Sequence, residues 1–260
     1  MKRDWKTSCD KIEIEITSKC NIGCANCDRS CGVAPSDEMM TLKQIENFVV
    51  ETLYHNVKWT WIRILGGEPA LHPDFLAIVN EVLKIKEYFP ATVVQVISNH
   101  YGDEVQAKLD QLPADVVVRG TNKKPNNPPL FTPANMAPVD DDKFQAEEYE
   151  NGCWVTDRCG LGLSRYGYYP CGAGAAIDRV FGLGAGEIKL HRVNVYSMKM
   201  KMNFLCQYCG HFKDNPPGSP GFGKFGCSRV QETSVSWQEA ITRFNEGKRG
   251  KLELYPERKL

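Results

Sequence analysis

A parallel α/β architecture is predicted by three features of the 260-residue chain. Segments rich in β-branched residues alternate with segments that carry a helical apolar stripe. The connections between them are short, and the largely apolar strands suit a sheet covered on both faces. Such alternation places successive strands side by side through right-handed crossovers.

The elements follow in order. Residues 11–17 read KIEIEIT, with Ile12, Ile14 and Ile16 alternating against charged residues, which predicts a strand with one buried face. Thr41 and Gln44 form a capping-box pattern, opening a helix whose Leu42, Ile45, Phe48, Val49 and Leu53 share a face. A second strand is predicted over residues 59–65, ended by Gly66-Gly67. Pro73 and Asp74 open a second helix with a stripe of Phe75, Ile78, Val79, Val82 and Ile85. Residues 92–98 and 115–119 read as strands, and 102–112 as the helix between them. Residues 121–142, with five prolines and four asparagines, read as a long irregular connection, ordered over the active-site face. Ser236 and Glu239 form a further capping-box pattern for a short C-terminal helix that stops at Gly247.

Composition narrows the function classes. Hydrophobic content is 42%, charged content 25% and formal net charge zero, so general nucleic-acid binding is not suggested. No apolar stretch has the length of a membrane span, and the polar first ten residues carry no signal-peptide core. A cytoplasmic location is the expectation, and there eleven cysteines read as metal ligands before disulfides.

Cys20, Cys24 and Cys27 stand close together in CNIGCANC, just after the first strand. Three thiolates are one fewer than the four that normally hold a four-iron cluster, so one iron is left open. Two other readings stand beside this one: a zinc site, and a ferredoxin-type cluster that recruits Cys31. Gly66-Gly67-Glu68-Pro69 then ends the second strand, where paired glycines admit a ligand close to the backbone. A C-x3-C-x2-C triplet after one strand with GGEP after the next resembles the radical S-adenosylmethionine (radical SAM) superfamily.

That resemblance carries several implications. The fold would be a partial parallel β/α barrel, with two more strands needed between residues 140 and 196; residues 154–156 and 193–196 are the candidates. A 4Fe-4S cluster on Cys20, Cys24 and Cys27 would bind SAM through its open iron. Gly66, Gly67, Glu68 and Pro69 would receive the SAM amino group, and Ser98 and Asn99 would shape its pocket. Reductive cleavage of SAM would yield a 5′-deoxyadenosyl radical that takes a hydrogen atom from substrate, with a flavodoxin- or ferredoxin-type protein as electron donor. The residue before the third cysteine is usually aromatic in the family; here it is Asn26.

Past Gly152 the chain becomes rich in glycine, aromatics and cysteine. Cys159 and Cys171 flank GLGLSRYGYYP, which reads as a hairpin, and Cys206 and Cys209 form a C-x2-C pair. This arrangement resembles the Twitch (shortened SPASM) extension of radical SAM enzymes, although Tyr169 stands where that pattern has glycine. The resemblance implies an auxiliary 4Fe-4S cluster on Cys159, Cys171, Cys206 and Cys209, with Cys153 or Cys227 as substitutes; a zinc ribbon is the other reading. The expected division is a radical SAM core over residues 1–150 and a cluster domain over 151–260.

No catalytic side chain is named by the sequence. Arg119 at the end of the fourth strand, with Arg165, Arg179, Lys123 and Lys124 in later loops, suggests recognition of phosphate or carboxylate. The expected substrate is a small anionic metabolite, such as a sugar phosphate or sugar nucleotide. A ribosomal peptide is the alternative, disfavoured because only nineteen residues precede Cys20, too few for the winged-helix module common in peptide-modifying enzymes. A non-catalytic iron–sulfur electron carrier and a zinc-binding interaction module are further alternatives.

Overall fold

The computed structural model describes residues 4–120, 131–214 and 229–258. Lys123, Lys124 and Cys227 lie outside the described residues. Four strands, β1 (Lys11–Thr17), β2 (Trp61–Gly66), β3 (Val93–Ser98) and β4 (Val116–Gly120), alternate with helices α1 (Leu42–Tyr54), α2 (Phe75–Tyr88) and α3 (Asp103–Leu109). Their neighbouring pairs are all parallel. The Thr41–Gln44 capping box opens α1 as the sequence predicts.

The remaining strands come from the hairpin between Cys159 and Cys171. Strand β5 (Leu161–Ser164) pairs parallel with β1, and β6 (Gly167–Tyr169) returns antiparallel. The sheet order is therefore β4-β3-β2-β1-β5-β6, an open sheet with β4 and β6 at its edges. The barrel is partial, and β1 lies inside it with a parallel neighbour on each side.

The strands expected at residues 154–156 and 193–196 are not strands. The first segment is helix α4 (Trp154–Arg158), where Thr156 closes a turn on the Cys153 carbonyl through both its N–H and its hydroxyl. In the second, Asn194 and Ser197 cap one another and open α6 (Val195–Leu205). Local capping outweighed the β preference of single valines. Between them lies α5 (Gly172–Phe181), and α7 (Val235–Asn245) closes the chain. Helix α7 starts earlier than its capping pattern suggests, after Ser234, because Ser236 is already bonded to the Asp140 carboxylate through N–H and hydroxyl.

Ile12, Ile14, Ile64 and Val96 lie fully buried on one face of the sheet, against Phe48 of α1 and Ile78 of α2. Each such side chain contributes roughly 1.5–3 kcal/mol by leaving water. The opposite face of β1 is where expectation fails. Glu13 and Glu15 are only 6% exposed, so both faces of the strand are buried. A strand flanked on each side in a covered sheet has no water-facing surface; its polar alternation points into the barrel interior. Register sets Glu13 beside Arg63, and Arg63 beside Gln95, giving a polar row across three strands.

Candidate functional site

The cysteine loop leaves the C-terminal end of β1 and is held by the neighbouring strand ends. Gly67 donates to the Thr17 carbonyl and Glu68 to that of Lys19, both at 2.8 Å. A side chain on Gly67 would bring its Cβ within 2.2 Å of the Lys19 carbonyl oxygen and 2.9 Å of the Cys20 Cβ. Glycine is thus what lets the β2 terminus lie directly on the cysteine loop. Asn99 reaches the same loop from β3: its Nδ2 donates to Asn21 at 2.8 Å and stands 4.0 Å from the Cys20 sulfur.

Glu68 plays a different part from the one its position suggests. It is fully buried, and its carboxylate accepts from the Ala70 N–H, the Ser98 hydroxyl and the Asn99 N–H. Burial raises its pKa, and those three hydrogen bonds oppose the rise. Its oxygens are committed to bracing the GGEP bend against the end of β3. Gly66, Gly67, Ser98 and Asn99 line the adjacent cavity, and the Glu68 and Pro69 side chains stand behind them.

Cys20, Cys24 and Cys27 open onto that cavity, which measures about 230 Å³. Cys31 is not part of its wall; it is buried and hydrogen-bonded to Cys27, which holds the Cys27 thiol down at about 7. Burial raises the Cys20 thiol instead. Three thiols lining one cavity, with Cys31 outside that lining, fit a cluster held at three corners and open at the fourth. Among the described residues no group of three such side chains is close enough to hold a single metal ion. Cluster thiolates each bind a different iron, so they stand further apart than the ligands of one zinc.

Residues the sequence reading missed complete the cavity. Its lining also includes Glu13, Arg29 and Arg63. Arg29 Nη2 donates to Glu13 Oε2 at 2.5 Å, and Arg63 Nη1 to Glu13 Oε1 at 3.3 Å. Arg63 also donates to Gln95 and lies 3.9 Å over the centre of the Trp61 ring. Arg29 Nη1 is buried and has no hydrogen-bond partner among the described residues. The signal for Glu13 was present in KIEIEIT, once the strand is known to be central.

Asn26 also has a local explanation. Its φ is 57°, a left-handed conformation that asparagine tolerates better than an aromatic residue does. Its backbone N–H donates to Gln231, its side-chain amide donates to the Val230 carbonyl, and its side-chain oxygen accepts from Glu232 N–H. The residue fastens a distant segment over the cysteine loop.

The second cysteine set gathers differently from the expected quartet. Cys153, Cys171, Cys206 and Cys209 line one pocket, together with His211, whereas Cys159 lies outside it. Cys153 precedes α4 and Cys159 follows it. Six residues at 3.6 per turn carry the second thiol to another side of the helix. The Cys159 thiol, pushed up to about 12 by burial, is next most influenced by Glu13, Arg29 and Arg63. Burial likewise pushes Cys171 up to about 12, and raises Cys206 and Cys209 well above the usual thiol value, with Cys153 as an added cause. Tyr169 is fully buried and donates to Asp178 in α5 at 2.7 Å.

The predicted arginines are spread out. Arg119 lies on exposed strand β4, opposite the cavity-lining Ile97. Arg165 sits in the β5–β6 turn beside a separate small pocket with Glu15, Glu38 and Arg179. Arg179 is buried and donates to the carbonyls of Ala34 and Arg29.

No protein-family model matches the chain. A probable GTP 3′,8-cyclase of Methanothermobacter marburgensis is 36% identical over 74 residues, covering 28% of this chain and 23% of the cyclase. A GTP 3′,8-cyclase of Clostridium perfringens is 31% identical over 90 residues, 34% of this chain and 27% of its own length. The chain thus matches about a quarter of the length of these curated relatives. Among solved structures, BtrN in complex with AdoMet and 2-DOIA aligns with a TM-score of 0.47 at 13% identity, over 87% of this chain and 99% of that one. Streptococcus suis SuiB bound to precursor peptide SuiA aligns with a TM-score of 0.33 at 15% identity, over 42% and 23%. The three-thiol loop, the GGEP bend locked against that loop and the stretch of sequence similar to the cyclases together support a likeness to radical SAM enzymes.

Proposed function

We propose that the protein is an enzyme that cleaves SAM reductively and abstracts a hydrogen atom from a small metabolite bearing a phosphate or carboxylate. One observation carries this reading: a single cavity is lined by three thiols and two arginines. The donor set at Cys20, Cys24 and Cys27 suits a four-iron cluster with one open iron. When bound, that cluster and SAM supply a 5′-deoxyadenosyl radical, the hydrogen acceptor of the reaction.

The residues of the chain position the reactants. Gly66 and Gly67 let the end of β2 lie directly against the cysteine loop, and Asn99 holds that loop in place. In the same cavity both Glu13 oxygens are already engaged by Arg29 and Arg63. Arg63, whose side chain is 24% exposed, can offer a further guanidinium N–H to a ligand, which favours an acceptor-rich, anionic group. Burial alone would lower the pKa of Arg29; Asp28, Glu13 and Glu15 more than offset it and keep the group charged.

The second set, Cys153, Cys171, Cys206 and Cys209, suits a fully ligated auxiliary four-iron cluster in an electron-transfer or structural role. In this reading residues 1–150 carry the SAM chemistry and 151–260 the auxiliary cluster. A flavodoxin- or ferredoxin-type protein supplies the electron. The setting is the cytoplasm, where oxygen-sensitive thiolate sites persist; no helix among the described residues is long and apolar enough to cross a membrane.

The test is isotopic. Anaerobic, reconstituted protein is incubated with SAM, reductant and deuterated metabolites, half of them phosphorylated or carboxylated. Deuterium should enter 5′-deoxyadenosine only with anionic compounds, and Arg63→Met should raise KM at least tenfold. Transfer from neutral compounds alone would contradict the substrate class.

A further inference from the structure

His211 follows Cys209 by two residues in the turn Gly210–Lys213 and lines the pocket formed by Cys153, Cys171, Cys206 and Cys209. The residue as a whole is partly buried, yet both ring nitrogens are closed off from solvent. Neither nitrogen has a hydrogen-bond partner among the described residues. An imidazole always carries at least one N–H, and leaving that donor buried and unbonded costs about 1–3 kcal/mol. Its orientation is nevertheless defined: the Trp154 ring meets it edge-on, with centroids 6.1 Å apart and planes at 84°. A side chain held in place with an unmet donor, on the wall of a four-thiol pocket, is arranged for a ligand in that pocket.

We infer that His211 donates an N–H hydrogen bond to a sulfur of the auxiliary cluster and thereby raises its reduction potential. This rests on the proposed auxiliary cluster. Four thiolates already satisfy a four-iron cluster, so a fifth side chain on the pocket wall is left to act on the sulfurs. The reduced cluster carries one more negative charge, and a donor aimed at it stabilises that state over the oxidised one. Electrons passing between the two clusters would meet a potential set in part by this residue.

The experiment uses the full chain with Cys20, Cys24 and Cys27 all changed to Ala, so that only the second set can hold iron. After anaerobic reconstitution the midpoint potential is measured by a dye-mediated optical or EPR titration. His211→Phe in that background should shift the one-electron equilibrium at least tenfold towards the oxidised form, a fall of about 59 mV. His211→Gln keeps an N–H donor and should recover part of the shift. Pulsed EPR on the His211-containing protein with 15N-labelled histidine needs no change at position 211 and should show one weakly coupled nitrogen. If a cluster forms but the potentials agree within twofold in equilibrium constant and no nitrogen couples, the role of His211 is overturned while the auxiliary site stands. A strong coupling, as from a directly bound nitrogen, also overturns the hydrogen-bond assignment. If no iron is retained by the triple variant, the auxiliary site itself is refuted, and this inference goes with it.

Discussion

The Arg29 guanidinium occupies the space that a side chain on Gly172 would need: a Cβ at that position would stand 1.8 Å from Arg29 Nη1. Arg29 lies two residues beyond Cys27, and Gly172 directly follows Cys171. One close contact thus ties the two cysteine sets together beneath the cavity. Gly172→Ala must push the guanidinium off Glu13 or open the sheet. Overpacking of this kind costs about 1–3 kcal/mol, and loss of a buried ion pair adds to it. Urea denaturation should show the lower midpoint, and Arg29→Ala should remove most of the penalty of the Gly172 change, because the two residues are coupled.

The second cysteine set yields a sharper test by substitution. Cys153→Ala should abolish iron binding at the C-terminal site, whereas Cys159→Ala should leave it intact. Iron analysis of reconstituted protein lacking Cys20, Cys24 and Cys27 decides between them. The reverse pattern would restore the quartet expected from sequence.

Asn26→Tyr introduces the aromatic residue that the resemblance leads one to expect before the third cysteine. The substitution should destabilise here. A bulky side chain at a left-handed φ costs roughly 1–2 kcal/mol, and the two side-chain hydrogen bonds to Val230 and Glu232 add about 0.5–1.5 kcal/mol each. Faster hydrogen exchange at the Glu232 N–H would show the released segment directly.

His72 predicts a pH dependence away from the cysteine sites. Its Nδ1 accepts from the Asp74 N–H at 3.0 Å, so Nε2 carries the proton and donates to the Met40 carbonyl at 2.9 Å. Burial lowers its pKa, with Lys108 adding to the effect and Met40 and Asp74 opposing it. A histidine with a depressed folded pKa supports the fold fully above its unfolded value of about 6.5; that support is lost as pH falls through the lower folded value. The thermal midpoint should therefore drop below about pH 6.5. His72→Gln should lower the midpoint at pH 8 and flatten that part of the profile.

Much of the scaffold was legible because periodicity survives in short windows. Ile12, Ile14 and Ile16 mark β1, Thr41 and Gln44 mark the start of α1, and Cys159 and Cys171 bracket the hairpin that became β5 and β6. What escaped was set by tertiary position. Alternation in KIEIEIT cannot distinguish a solvent face from a barrel interior, so Glu13 and its partner Arg63 went unnoticed. Arg29 reads as an ordinary loop residue until folding lays it across Gly172. Cys153 and Cys159 are equivalent as letters, and only the turn of α4 between them brings Cys153, and not Cys159, to the pocket with Cys171, Cys206 and Cys209. Asn194 and Ser197 were a readable cap, passed over in favour of the neighbouring valines.

The central claim is that the thiols of Cys20, Cys24 and Cys27 hold a cluster whose open iron binds SAM. Its most direct test is to reduce the anaerobically reconstituted protein with dithionite in the presence of SAM and measure 5′-deoxyadenosine by chromatography. The account predicts turnover-dependent release of that product from the wild-type chain and none from Cys24→Ala. Reduced protein that carries its iron yet leaves SAM intact would contradict it.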